Sequence, residues 1–345
     1  MIFSEYHSKT RDKNREEADD EFYAITKTSL LYVHHLALLG RFREAKDRLL
    51  MTHLHEKLHD PKYPLSNDHS IKMIYNRVLT VLGVSAFRNG EFYDAVSLLS
   101  DVVGSGKARE LTSQDFKLPK HAPYNQFLKL ELIEVVFHLS ALLIEIPFTV
   151  GSKNVTVAQS LMTPSMPSLF DCTDRTRRPF TKVFRRLMGI EQRALFATPP
   201  ESSRDWTVYL AKAVEEGEVG RAVEILQNLD IWNNIANSEE CLELYETELR
   251  VACLLCFVHK SIAQIECIPL SLLSDMFLIS LDRLVTLFSQ FIVKGWIIGR
   301  LIKNDGQWVL KCGQQPASDP FVLEVFNLAE KSSFLKELLL SEPST

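Results

Sequence analysis

The chain is short of the features that would place it among secreted, membrane or nucleic-acid-coating proteins. Its six cysteines (172, 241, 253, 256, 267 and 312) have no compact disulfide spacing, which points to a reducing compartment. No long apolar run is uninterrupted: residues 135–150 form the longest, but it contains His138 and Glu145 and meets Pro147, so it reads as too short and too polar to span a bilayer. The first 21 residues are densely charged with no apolar core, and they read as neither a signal peptide nor an anchor. Positive charge is not in excess either. Lysine and arginine number 39 against 44 aspartates and glutamates, a net charge of −5, which argues against a general nucleic-acid binder while leaving room for local basic patches. The expectation is a cytoplasmic protein without a membrane segment.

What is present is a hydrophobic content of 46%, enough to bury a sizeable core in 345 residues. Helix formers dominate. The spacing predicts a helix over 22–39, then Gly40-Arg41-Phe42-Arg43-Glu44-Ala45, then a second helix to about His59. The same punctuation recurs at Asn89-Gly90-Glu91-Phe92-Tyr93-Asp94-Ala95 and at Gly217-Glu218-Val219-Gly220-Arg221-Ala222. Glycine supplies a left-handed turn, the apolar residue two positions later packs back, and alanine lets the next helix approach closely. Unequal spacing between copies predicts a degenerate stack of helical hairpins, the architecture of binding scaffolds.

Residues 262–310 differ from the rest. A strand is expected over 262–268, ended by Pro269, then a helix capped by Ser271, a second helix after Ser280, and a hairpin whose turn is Asn304-Asp305-Gly306. Strand, helix, helix, hairpin is the order of a winged helix. The expected fold is therefore mostly α: a right-handed stack of helical hairpins, ending in a winged-helix unit with a small antiparallel sheet, plus a C-terminal helix. The divisions are 1–124 (helical repeats), 125–260 (a second helical part), 261–312 (the winged helix) and 313–345 (a linker and an amphipathic helix). The last carries Val322, Val325, Phe326, Leu335, Leu338 and Leu339 at helical spacing, to pack in cis or against another subunit.

Several motifs invite a chemical reading. His55-Glu56-Lys57-Leu58-His59 fits the zinc-peptidase pattern, in which two imidazoles share a helix face beside a general base. Asp60-Pro61 follows at once, and only Asp68 and His69, in a polar linker, are near enough to supply a third ligand. Cys253 and Cys256 with His259 and Cys267 superficially offer four zinc ligands, but Leu254, Leu255, Phe257 and Val258 make that stretch a core helix. Cys172 and Arg178 have phosphatase spacing without a glycine to shape the loop, and Gly106-Lys107-Ala108 lacks the P-loop's first glycine and its magnesium-binding hydroxyl. No catalytic residue, cofactor or metal is expected. The best polyanion site is the cluster Arg175, Arg177, Arg178, Lys182, Arg185, Arg186 and Arg193, with the bland alternative of a solvated helix face. The second helix of the winged unit turns Asp282, Arg283, Thr286 and Gln290 outward, a poor surface for DNA, so this unit is read as a protein-binding joint. The interface candidates are Ile262, Ile265, Trp296, Ile298, Arg300 and Ile302, with Val325, Phe326, Leu335 and Leu338 after them.

Short stretches in register narrow the reading. They are Tyr75-Asn76-Arg77, Leu82-Gly83, Ala86-Phe87-Arg88, Gly106-Lys107-Ala108-Arg109-Glu110-Leu111, Leu130-Glu131-Leu132-Ile133-Glu134, Leu143-Ile144-Glu145-Ile146-Pro147, Pro199-Pro200-Glu201-Ser202 and Leu273-Ser274-Asp275-Met276-Phe277. Over residues 75–310 the chain resembles the c-subunit family of eukaryotic translation initiation factor three, one of the PCI-domain families. The resemblance implies a non-catalytic scaffold that pairs with the a-subunit and with other subunits of that factor in a hetero-oligomer. It also implies contact with the small (40S) ribosomal subunit and a possible approach to messenger RNA. On this reading no counterpart is expected here of the family's long N-terminal region. Proteasome-lid and signalosome subunits share the PCI plan and remain the alternative within binding modules; the zinc peptidase is the alternative from another class.

Overall fold

The computed structural model describes residues 15–60, 65, 68–104, 108, 129–154, 200, 202–262, 264–293, 296–297, 299–304 and 307–312. These are mostly helical, with one three-stranded antiparallel sheet. The chain divides into two compact units, one of Met1–Glu145, Met166–Ala211 and Glu224–Glu246, the other of Ile146–Ser165, Lys212–Val223 and Thr247–Thr345.

In the first unit, α1 (Arg15–Leu38), α2 (Phe42–Thr52), α3 (Leu54–His59), α4 (His69–Arg88) and α5 (Phe92–Gly104) follow one another, α1 packing on α2 and α4, and α4 on α5. The expected second helix to His59 is in fact two. His53 adopts a left-handed backbone (φ 51°) that ends α2, and the Thr52 hydroxyl donates to the Leu49 carbonyl (2.6 Å) while accepting from the Leu54 N–H (3.4 Å). A β-branched residue whose hydroxyl competes for backbone groups explains the break. Asp68 caps α4 by accepting from the N–H groups of Ser70 (2.7 Å) and Ile71 (3.4 Å).

The three glycine turns are built alike. Gly40, Gly90 and Gly217 have φ of 78°, 77° and 82°. Each glycine N–H donates to the carbonyl three residues back (Ala37, Phe87, Val214), and the next N–H donates five back (Leu36, Ala86, Ala213), all at 3.0–3.1 Å. This is the Schellman pattern, which satisfies carbonyls left over at a helix end. Ala45, Ala95 and Ala222 are fully buried, and each N–H starts the next helix on Arg41, Glu91 or Glu218. Phe42 and Phe92 are buried as expected; Val219 is half-buried. The first two turns are tied together by Asn89 Nδ2 donating to the Gly40 carbonyl (3.3 Å) and by ion pairs Arg43–Glu91 (3.2 Å) and Lys46–Asp94 (2.6 Å). The partly buried Lys46–Asp94 pair contributes more than its exposed neighbour.

An aromatic cluster closes this unit. Phe87 lies 5.4 Å from Phe92, 6.3 Å from Trp232 and 5.8 Å from Tyr245 between ring centroids. The polar ends are satisfied: Trp232 Nε1 donates to the Leu226 carbonyl (2.8 Å) and Tyr245 Oη to the Leu139 carbonyl (2.9 Å). Leu139 belongs to α6 (Leu130–Asn154), which runs through Pro147 where the sequence suggested a stop. Proline removes one donor, to the carbonyl four residues earlier, and the flanking hydrogen bonds of a long apolar helix carry the chain on. By length and composition Leu130–Gly151 could cross a membrane, yet 78% of its apolar window is buried in the fold, as a core helix requires.

After α7 (Ser203–Glu216) and α8 (Val219–Gln227), α9 (Ser238–Ser261) enters the second unit at Thr247 and leads to β1 (Cys267–Pro269), α10 (Leu270–Phe277), α11 (Leu281–Val293), β2 (Gly299–Asn304) and β3 (Gln307–Cys312). The sheet order is β1-β3-β2, both pairings antiparallel. Asn304, expected in the turn, instead ends β2 by pairing with Gln307, which leaves two residues between the strands. α10 packs on β1, β3 and α11, and α11 on β2. Ile268, Leu310 and Cys312 from the strands meet Leu270, Leu273, Phe277, Leu284 and Phe288 from the helices, all buried.

Candidate protein-docking surface

The strand expected over 262–268 is much shorter. The Ile262 N–H donates to Val258 (2.9 Å) and the Ile265 N–H to Ser261 (2.8 Å), so helical bonding runs on past α9 and only Cys267–Pro269 pair with β3. Pro269 lies within this edge strand, where a missing donor costs nothing to the ladder. Ser271 is not the cap of α10, which begins at Leu270 with Pro269 at the cap position and no side-chain bond. Ile262 is half-buried and Ile265 exposed, and neither stands on the sheet.

β2 is an edge of the sheet, and its register sorts its side chains. Arg300 pairs with Lys311 and Ile302 with Val309, while Val309 also faces Pro269 and Lys311 faces Cys267. Alternation puts these six residues on one face, opposite the buried Ile268, Leu310 and Cys312. The outer face is a row of half-buried Pro269, Val309 and Ile302 beside exposed Arg300 and Cys267. Of the sequence candidates, the structure thus brings Arg300 and Ile302 together and adds Pro269, Val309 and Lys311. The period-two pattern of residues 307–312 carried that signal. Trp296 stacks on Phe291 (5.5 Å, 16° between planes) and braces the end of α11. At the hairpin tip Lys303 sits 5.7 Å over the Trp308 ring. Gly299 permits the close β2–β3 approach: a Cβ there would lie 2.8 Å from the Lys311 carbonyl oxygen.

Arg175, Arg177, Arg178, Lys182, Arg185, Arg186 and Arg193, Ile298, and Val325, Phe326, Leu335 and Leu338 lie outside the described residues. On α11, Asp282, Arg283, Thr286 and Gln290 are exposed, and Arg283 pairs with Glu248 at 3.8 Å. Leu273 and Phe277 are core as expected, whereas Asp275 and Met276 between them are exposed, because only every third or fourth residue of a helix faces the sheet.

The metal-like motifs take structural places. His55 Nδ1 is 3.2 Å from Tyr75 Oη, Glu56 points to solvent, and Asp68 is spent as a cap. Cys253 and Cys256 are fully buried, and burial pushes the Cys253 thiol up to about 12, which disfavours the thiolate that binds metal. Among the described residues no group of three His, Cys, Asp or Glu could hold a metal ion.

A family model described as "Eukaryotic translation initiation factor 3 subunit 8 N-terminus" matches residues 18–154. Proteins named as the C subunit of eukaryotic translation initiation factor 3 match over most of the chain. That of Aspergillus fumigatus is 26% identical over 327 residues, covering 90% of this chain and 35% of the relative. The chain resembles the factor's C subunit. The Yarrowia lipolytica C subunit is 28% identical over 287 residues (80% of this chain, 32% of the relative), and that of Schizosaccharomyces pombe 25% over 284 (78% and 28%). The chain spans about a third of the length of the curated C-subunit relatives it matches. The match to the family model starts within α1, well before the Tyr75 where the short motifs begin. Three of those motifs fall on α4, where Tyr75, Leu82, Gly83, Ala86 and Phe87 are buried.

Proposed function

We propose that the chain is a non-catalytic assembly subunit of the initiation-factor-3 type, in which β1–β3 with α10 and α11 act as the winged helix of a PCI domain and the hairpin stack as its helical part. The observation that carries the reading is the edge strand β2 with its outer face: Ile302, Val309 and Pro269 in an apolar row, flanked by Arg300 and Lys311. An exposed edge invites pairing with another chain unless covered, and a mixed apolar and basic face suits a protein neighbour. A neighbouring PCI subunit, the a-subunit first, is the partner this reading assigns to it. Ile262, Ile265, Trp296 and Ile298, with Val325, Phe326, Leu335 and Leu338, extend the interface in this reading. The exposed face of α11 carries Asp282 against an Arg283 already paired with Glu248, which disfavours a DNA role.

The basic segment from Arg175 to Arg193 is the proposed contact with the small ribosomal subunit, with messenger RNA a further ligand, in the cytoplasm and away from membranes. The test is to purify tagged protein from cells and fractionate it on a sucrose gradient. Co-purification with other initiation-factor-3 subunits and sedimentation with small ribosomal subunits is expected. Recovery with proteasome lid or signalosome subunits instead would refute the assignment.

A further inference from the structure

Leu278 is out of place twice over. Three non-glycine residues among those described have a left-handed backbone: His53 (φ 51°), Asn237 (φ 58°) and Leu278 (φ 54°). Asparagine and histidine visit that region with some ease; leucine does not. Nor does Leu278 gain burial in exchange, since 72% of it is exposed. Its neighbours hold it there. Ser274 Oγ donates to the Ile279 carbonyl (2.7 Å), Arg250 Nη1 donates to the Phe277 carbonyl (3.4 Å), and the Phe277 and Ile279 side chains are buried. The turn is thus clamped on both sides so that the residue between projects. Leu272 (49% exposed) and Met276 (45%) on α10 and Leu281 (44%) at the start of α11 are also exposed, and the chain turns through 109° between the two helices. Strain of this kind, maintained by surrounding bonds, points to use rather than accident.

We infer that this corner is a docking site for an amphipathic helix with basic flanks, supplied by a partner protein, with Leu278 as the anchor. The inference goes beyond the assembly reading, because it concerns the helices and not the sheet, and it does not depend on which complex the chain joins. Leu272 and Met276 stand one helical turn apart on α10, and with Leu278 and Leu281 they offer apolar surface to the i, i+3, i+4, i+7 stripe of an incoming helix. The rim sets the charge of that helix. The exposed carboxylates Asp275, Asp282 and Glu248 outnumber the guanidinium groups of Arg283, which pairs with Glu248, and of the half-buried Arg250, which donates to the Phe277 carbonyl and keeps its charge. A second copy of this chain would set carboxylates against carboxylates, so a basic partner is favoured over self-association.

The experiment uses the full chain and a labelled synthetic helix of about 18 residues, with a leucine stripe flanked by lysines, followed by fluorescence anisotropy. A control peptide carries glutamates in place of the lysines. Saturable binding of the lysine peptide, weakening with salt, is expected, and the glutamate peptide should not bind. Leu278→Gly and Leu278→Asn both accept the left-handed backbone, so each should keep or raise Tm while weakening binding at least about tenfold. Asp275→Asn with Asp282→Asn should weaken binding and flatten its salt dependence. The proposal is overturned if wild-type protein does not bind the lysine peptide, if both peptides bind equally, or if Leu278→Gly binds as wild type. A lowered Tm in Leu278→Gly would assign Leu278 a packing role instead. Concentration-dependent self-association that Leu278→Gly abolishes would assign the face to a second copy.

Discussion

A Cβ on Gly83 would lie 2.6 Å from Cγ of Leu99, closer than side chains approach in folded proteins. Gly83 is therefore the contact point at which α4 and α5 close on one another, and Leu99 on the facing helix is fully buried. Helix propensity alone would favour alanine at this position by about 1 kcal/mol. Overpacking a clamped core works against it by about 1–3 kcal/mol, so Gly83→Ala should lower stability in urea unfolding. Combining Gly83→Ala with Leu99→Ala, which on its own costs about 2–5 kcal/mol, should give a smaller loss than the two added together. Strict additivity would show that the helices do not meet there.

Two of the hairpin glycines, Gly40 and Gly217, separate backbone strain from crowding. Gly40 has φ 78° with open space where a Cβ would point, whereas at Gly217 (φ 82°) a Cβ would lie 3.2 Å from Cβ of Phe257. Gly40→Ala should cost about 1 kcal/mol from the left-handed backbone alone, and Gly40→Asn less. Gly217→Ala should cost more than Gly40→Ala. Chemical denaturation of the three variants measures the order.

Two buried histidines make stability depend on pH. Burial lowers His138 to about 3, with Arg204 adding to the effect and the Glu134 carbonyl opposing it, and burial lowers His259 to about 4. The unfolded chain binds these protons near pH 6.5, so between that value and the folded pKa it holds more protons than the native state. Stability should therefore fall as pH drops below about 6.5, by about 2 kcal/mol per histidine by pH 5. His138→Gln removes one such group, so its stability should change less between pH 7 and 5 than that of wild type. Parallel profiles for the two proteins would show that His138 does not titrate as its burial implies.

How far the sequence anticipates this fold depends on how local the governing physics is. The glycine turns were legible because the left-handed residue, the buried alanine and the helix restart sit within six residues. The order from β1 to β3 and the presence of a tight hairpin were legible for the same reason, although Asn304 belongs to the strand and not to the turn. The extent of β1 was not: residues 262–266 carry apolar and polar side chains that suit a frayed helix end as well as a strand, and only pairing with Lys311, Leu310 and Val309 defines the three strand residues. Pro147 looks like a stop in the sequence and is not one, because its local cost is overridden by the burial of α6 around it. The outer row Pro269–Val309–Ile302 joins residues distant in sequence and emerges only with the register. The Leu278 corner had no local signal, because leucine is an unexpected residue for a left-handed turn.

The basic segment gives a prediction independent of the sheet. Arg185→Glu with Arg186→Glu should weaken association with small ribosomal subunits while leaving co-purification with partner subunits intact, and the difference from wild type should shrink as salt rises. Unchanged sedimentation across a salt titration would remove this segment from the ribosome contact.

The most direct test of the assembly account is quantitative co-purification of initiation-factor-3 subunits on tagged wild-type protein and on an Ile302→Asp, Val309→Asp variant. Both positions are half-buried on the outer sheet face, away from the Leu310 core, so the variant should fold with a circular dichroism spectrum like that of wild type. The account predicts that wild-type protein recovers the partner PCI subunit and that the variant loses at least about tenfold of it, as for a central interface residue. Undiminished recovery by a folded variant, or wild-type recovery of proteasome lid or signalosome subunits in place of initiation-factor subunits, would contradict it.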